Sequence, residues 1–187
     1  MADFLHFCNQ FSPLNQEAME ELFENLKIKH FQKGDYLLKI GEVCKHLYFI
    51  NEGLTKTFFI KDDKEFINVF GIENRLFTVF ESYVTQTPSN FNVIALEPTT
   101  ITLISYSEMD KLCKKHHGAE TFFRKLASLA ATKMTRRISE ILEENATERY
   151  NLFVKENNQI LQRINLGDLA SYLGITQQSL SRIRAKK

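Results

Sequence analysis

The sequence predicts an α+β chain: an antiparallel β-roll of jelly-roll type, one long dimerisation helix, and a small all-α helix-turn-helix domain. Three observations carry this. From Lys29 to about Tyr106, short apolar or alternating runs (YLLKI, HLYFI, LTKTFFI, FINVF, FNVIAL, TITLIS) are punctuated by turn residues such as Gly34-Asp35, Gly41-Glu42, Gly53, Asp62-Asp63 and Pro98. From Ala119 to Asn145 there is neither Gly nor Pro, and the apolar residues recur at helical steps. Near the C-terminus a third pattern joins two short helices through a glycine.

Taken in order, MADFLHFCNQF lacks the basic segment and long apolar run of a secretory leader, so a cytoplasmic protein is expected. No apolar run approaches the ~20 residues of a membrane span. Leu14, Met19, Leu22, Phe23 and Leu26 predict a helix over about 15–27. The strand region follows. Ser107, with Asp110 three residues on, is the expected cap of the next helix, and Gly118 its interruption. In the long helix Phe122, Leu126, Leu129, Ala130, Met134, Ile138, Ile141 and Leu142 form one stripe. Arg136, Arg137, Glu140 and Glu144 lie mostly off it. A stripe continuous over so many turns needs a partner surface, either its own sheet domain or the same helix of a second subunit; the second is the expectation, making a homodimer through 119–145. A helix over about 146–155 precedes the final pair. The expected divisions are 1–118, 119–145 and 146–187.

The composition of the 187 residues suits a packed core: 43% are hydrophobic, 25% charged, and 16 are Phe. The net charge of +1 hides an asymmetry. Residues 1–132 carry 14 basic and 17 acidic side chains, whereas 133–187 carry 10 and 6. A positive C-terminal segment points to a polyanion partner. Cys8, Cys44 and Cys113 are too few and too scattered for a disulfide framework or a four-thiolate cluster. Cys113 with His116 and His117 is a weak metal pattern, and a polar helix face is the preferred reading, so no metal is expected.

The chemistry concentrates in Leu166–Arg184. Ala170 suits the close approach of two helices, and Gly174 a turn at positive φ. Leu169, Leu173, Ile175, Leu180 and Ile183 can close a miniature core. Thr176 can cap the second helix. Gln177, Gln178, Ser181, Arg182 and Lys186 then fall on its outer side. Gln bonds adenine bidentately, Arg bonds guanine likewise, and Ser or Lys serves bases or phosphates. Arg184 and Lys187 can neutralise phosphates. Double-stranded DNA is the expected partner; an ordinary helical hairpin with a polar face is the plainer alternative.

These residues resemble the Crp–Fnr family of bacterial transcription regulators over nearly the whole chain. Phe31-x-x-Gly34-Asp35-x-Leu37-x-x-x-Gly41, then Leu47-Tyr48-Phe49-Ile50 and Gly53, are similar to that family's cyclic-nucleotide-binding β-roll. The long helix resembles its dimerisation helix, and Asp168–Arg184 its helix-turn-helix. The resemblance implies a dimer reading a near-palindromic site, with RNA polymerase as a further partner. Two departures follow. Members that bind cyclic AMP hold it with a Gly-Glu and an Arg-Ser pair. Anchored on Ala95, those positions fall at Thr78-Val79 and Ser89-Asn90. Without the cation a buried phosphate loses its main charge-assisted bond, so cyclic AMP is not expected. Arg75 or Glu81 can substitute from nearby, and Phe77, Phe80 and Tyr83 can line a more apolar pocket. A different small molecule, a partner protein and no effector at all stay open. The family's recognition helix is also followed by a two-stranded wing, and the domain here is expected to lack a full one. Fewer phosphate contacts then lower the affinity of each half-site and make dimerisation count for more.

Two rival functions are weaker. A module whose helix-turn-helix meets protein instead of DNA would show little salt dependence. A cupin-type enzyme would need two or three His and a carboxylate among the strands, but only His30 and His46 lie there.

Overall fold

The computed structural model describes residues 2–185, and Lys186 and Lys187 of the expected DNA-contacting set lie outside them. Two helices open the chain, α1 (Ala2–Phe11) and α2 (Gln16–Asn25). The first was not expected, although Phe4, Phe7, Cys8 and Phe11 sit at helical spacing. Phe4 and Cys8 are buried, and Phe4 meets Phe49 edge-on at 5.3 Å. Asn15 caps α2 by accepting a hydrogen bond from the Ala18 amide at 2.9 Å.

Eight strands and one short helix follow: β1 (Lys27–Phe31), β2 (Tyr36–Leu38), β3 (His46–Glu52), β4 (Thr55–Lys61), β5 (Lys64–Gly71), β6 (Leu76–Phe77), α3 (Phe80–Thr85), β7 (Asn92–Ala95) and β8 (Thr99–Ser105). They form two four-stranded sheets, ordered β1-β8-β3-β6 and β2-β7-β4-β5. The β1–β8, β3–β8, β3–β6 and β2–β7 ladders are antiparallel. The six apolar runs all become strands. β1 and β6 were not singled out. β1 is almost wholly exposed, so burial left no alternation to read, and β6 spans two residues.

Five helices and a 3-10 turn then follow: α4 (Tyr106–Lys115), α5 (His117–Glu143), α6 (Ala146–Asn157), the 3-10 turn at Asn158–Ile160, and the pair α7 (Leu166–Leu173) and α8 (Gln177–Ala185). The cap of α4 is Ser105, whose hydroxyl accepts from the Glu108 amide at 3.2 Å, rather than Ser107 two residues later. The break between α4 and α5 falls at His116, not at Gly118. His116 is buried, and its Nε2 lies 2.9 Å from Glu21 of α2, so the segment Cys113–His117 does not form the uniformly polar face expected of it.

The chain forms two compact units. The first comprises the chain up to Thr57 with Phe70–Leu129; the second comprises Phe58–Val69 and the chain from Ala130 on. The core of the first joins α1, α2 and α4 to the roll through Leu22, Leu47, Phe49, Ile101, Leu112 and Phe122. Its apolar interior holds a cavity of about 10 Å³ bounded by residues such as Leu14, Leu47 and Phe122. In the second, Phe58 and Ile67 of the β4–β5 hairpin are buried, as are Tyr150, Phe153, Leu169, Leu173 and Leu180.

Candidate nucleic-acid interface

The local chemistry of 165–185 sets two helices at a fixed turn. Asn165 caps α7: its Oδ1 accepts from the Asp168 amide at 2.7 Å, while its Nδ2 donates to Asp168 Oδ2 at 2.9 Å. Gly174 ends α7 at φ 67°, in the left-handed region that glycine occupies without Cβ strain. The Ile175 amide then returns to the Ala170 carbonyl at 3.0 Å. Thr176 opens α8, accepting from the Ser179 amide at 3.1 Å and donating to Ser179 Oγ at 3.0 Å.

Leu169, Ala170, Leu173 and Leu180 are buried at the crossing, while Ile175 and Ile183 are half-buried around it. Burial of Leu180 fixes which side of α8 faces outward. Thr176, Gln177, Gln178, Ser181, Arg182 and Arg184 are all exposed. Four of them, Gln177, Gln178, Ser181 and Arg182, share one side of the helix by their spacing. A β-carbon on Gly167 would lie 2.9 Å from Gln177 Nε2, so the missing side chain there lets the Gln177 carboxamide lie over the first turn of α7.

Three side chains that sequence reasoning passed over hold α7 from behind. Arg137 of α5 stacks its guanidinium over the Tyr172 ring, 4.1 Å from the centroid, and donates to the Tyr172 carbonyl. Arg149 of α6 donates from Nε to the Leu173 carbonyl at 3.0 Å. Two cations therefore sit on the C-terminal carbonyls of α7, where the helix dipole favours positive charge. Ser171, in the same turn, bonds to the β4–β5 hairpin. The burial of Tyr172 raises the pKa of its phenol, with Arg137 opposing the shift. A signal for Arg137 was present: it lies on the polar side of a helix whose other side is the apolar stripe. What it meets is 35 residues distant, and no sequence pattern specifies that partner.

The C-terminal part of that stripe faces solvent in the single chain, whereas Phe122 at its start is buried in the core of the first unit. On α5, Met134 is 55% exposed, Ile138 58%, Ile141 54% and Leu142 78%. The polar side is the one engaged: Arg136 pairs with Glu140 at 3.1 Å and with Glu156, and Arg137 reaches Glu140 at 3.4 Å.

The residues expected around an effector are all in the first unit. Arg75, Glu81 and Asn90 are exposed. Val79 is buried and precedes α3. Thr78 donates to the His46 carbonyl at 2.9 Å and lies 3.2 Å from Cys44 Sγ. Ser89 donates to the Phe91 carbonyl and accepts from the Phe91 amide, both at 2.9 Å. Phe77 and Phe80 are half-buried and Tyr83 is buried in the core. Of the strand histidines, His30 meets Thr100 Oγ1 at 3.1 Å, and burial followed by Lys29, Lys27 and Lys45 lowers the pKa of His46. Among the described residues no three His, Cys, Asp or Glu gather as a metal site, and no helix is long and apolar enough to cross a membrane.

Comparison with known proteins agrees with this architecture. Residues 28–116 match the cyclic nucleotide-binding domain family. The chain is 27% identical over 184 residues to the fumarate and nitrate reduction regulatory protein of Yersinia pestis, covering 91% of this chain and 72% of that one. Among solved structures, FixK2 from Bradyrhizobium japonicum superposes with a TM-score of 0.73 at 17% identity, covering 86% of this chain and 83% of FixK2. A transcriptional regulator of the crp/fnr family from Eubacterium rectale gives the same TM-score at 16% identity, over 91% and 82% of the two chains. The curated relatives are regulatory proteins rather than enzymes.

Proposed function

We propose that the chain is a transcription regulator of Crp–Fnr type that works in the cytoplasm as a homodimer, reading a near-palindromic DNA site with α8. The observation that carries this reading is the exposed face of Gln177, Gln178, Ser181 and Arg182 above the buried Leu180. Those side chains can bond base edges in a major groove, and Arg184 can meet phosphate. Dimerisation is supported by the stripe of α5 from Met134 to Leu142. It leaves apolar surface in water on a helix whose polar side is already satisfied. Two such chains would set their recognition helices in successive major grooves, roughly 34 Å apart.

The residues of the roll do not fit a cyclic nucleotide. The hydroxyls of Thr78 and Ser89 are committed to backbone groups of the chain itself, and Arg75 is exposed. DNA reading that needs no cyclic nucleotide is the consequence.

Titrating a labelled target duplex with the purified chain and its Arg182→Ala variant, at several salt concentrations, tests the assignment. The parent should lose affinity steeply as salt rises. The variant should lose about 1–3 kcal/mol at its preferred site and relax its preference at one base pair per half-site. Unchanged affinity and preference in the variant would remove Arg182 from the reading face. Binding indifferent to salt would favour a protein partner for α8.

A further inference from the structure

Gly167 is the second residue of α7, and its backbone does not call for glycine: it has no positive φ, whereas Gly174 at the other end of the helix does. In a helix glycine is a cost, since it gives up more backbone freedom than alanine. What the position lacks is room for a side chain. A β-carbon there would lie 2.9 Å from Gln177 Nε2, 3.0 Å from Asn165 Oδ1 and 3.8 Å from Gln177 Cδ. Two polar side chains thus fold over one bare α-carbon. Asn165 Oδ1 is occupied with the cap of α7, accepting from the Asp168 amide at 2.7 Å. The Gln177 carboxamide belongs to the outward face of α8. A local choice that weakens its own helix points to a gain elsewhere, and here the gain is the pose of Gln177.

The position of Gln177 on α8 explains the contact. With about 100° of turn per residue, Gln177 stands about 60° round the helix from Leu180, and Gln178 about 160°. Leu180 is buried at the crossing of the two helices. Gln177 therefore lies at the margin of the exposed face nearest α7, while Gln178 points away from it. Bidentate bonding to adenine demands one orientation of the whole carboxamide. A glutamine laid along a surface before contact gives up less rotamer freedom when it meets the base. A methyl group at 167 would meet the far end of this flexible side chain and the cap oxygen, not backbone. Gln177 would swing aside at little cost to folding, and its aim would change.

From this geometry we infer that Gly167 is a positioning residue for Gln177 and so determines specificity: its bare α-carbon sets the carboxamide to bond adenine at one A·T pair of each half-site. The inference rests on the DNA-reading function proposed above. Gln178, Ser181 and Arg182 lie farther round α8, so a side chain at 167 leaves them in place. The effect of residue 167 is confined to the base pair that Gln177 reads.

The test compares the full-length parent with Gly167→Ala, Gln177→Ala and the double variant. Each is titrated with a duplex selected by the parent and with duplexes changed at single base pairs. In Gly167→Ala, discrimination at one A·T pair per half-site should fall by about 5- to 150-fold, the scale of one bidentate contact, with the other positions unchanged. Gln177→Ala should lose the same preference, and the double variant should lose no more than Gln177→Ala alone, the non-additivity expected when one residue acts through the other. In the free protein, the side-chain amide resonance of Gln177, identified by its loss in Gln177→Ala, should move in Gly167→Ala while the urea midpoint does not fall. A merely structural role would lower the midpoint and weaken every duplex alike. Unchanged preference in Gly167→Ala would overturn the inference. So would losses that add in the double variant, because residue 167 would then act through the cap or a phosphate contact instead of Gln177. If the parent binds no duplex, the DNA reading fails and the specificity role with it, whereas a moved Gln177 resonance would leave the control of its pose standing.

Discussion

Replacing Ile138 by aspartate tests the assembly on which two-site reading depends. Ile138 sits in the middle of the solvent-facing stripe of α5 and is 58% exposed in the single chain. Fully burying such a side chain is worth about 1.5–3 kcal/mol, so covering its exposed part contributes roughly 1–1.7 kcal/mol. A two-fold interface buries it twice, giving about 2–3.5 kcal/mol. Losing that amount weakens the dimer by about 30- to 400-fold. The two introduced carboxylates, brought together at the axis, add repulsion in the same direction. Sedimentation equilibrium over a concentration series measures the dissociation constant directly, with circular dichroism checking that helix content is kept. Affinity for a palindromic duplex should fall in parallel, because the second half-site no longer gains from effective concentration. A dissociation constant within threefold of the parent's, or a parent that is monomeric at every concentration, would refute the argument from the stripe.

Two further outcomes follow from burial. Leu180→Ala empties the contact between α7 and α8 and should cost about 2–5 kcal/mol in the C-terminal unit, read as a lowered urea midpoint with loss of DNA binding. An unfolding free energy within about 0.5 kcal/mol of the parent's would show that Leu180 is not the pivot. Cys8 gives a pH dependence whose sign is fixed. Burial pushes its thiol from the ordinary 9.0 up to about 12, so its proton leaves more readily from the unfolded chain. The associated stability is complete below about pH 9 and is lost as pH rises towards 12, at up to about 1.4 kcal/mol per pH unit. Cys8→Ala should flatten that alkaline decline in denaturant titrations; an identical slope would locate its cause elsewhere.

The recognition pair was readable because its constraints are local. Asn165, Gly174 and Thr176 act within a few residues of themselves, and the burial of Leu180 then decides which side of α8 is outward. The strands of the roll were readable for the same reason, from alternation between turn residues. β1 escaped because its KIKHF is exposed nearly throughout, leaving no buried face to mark it. Helix α1 left a signal in the helical spacing of Phe4, Phe7, Cys8 and Phe11. Ser105 and Ser107 both suit a cap, and pairing of β8 through Ser105 with His46 decides where the helix begins. The partners of Ser171, Arg137 and Arg149 were not readable. Each is a polar residue on a helix, and its role comes from a backbone group on another element that only the fold brings near.

The central claim is that α8 reads DNA without a cyclic nucleotide. Selection of bound duplexes from a random pool by the purified full-length chain, at moderate salt and with no added ligand, tests it most directly. The account predicts enrichment of a near-palindromic motif with half-sites about one helical turn apart, lost or altered at one base pair per half-site in Arg182→Ala. A pool that stays random without ligand and becomes enriched only when cyclic AMP is added would contradict it.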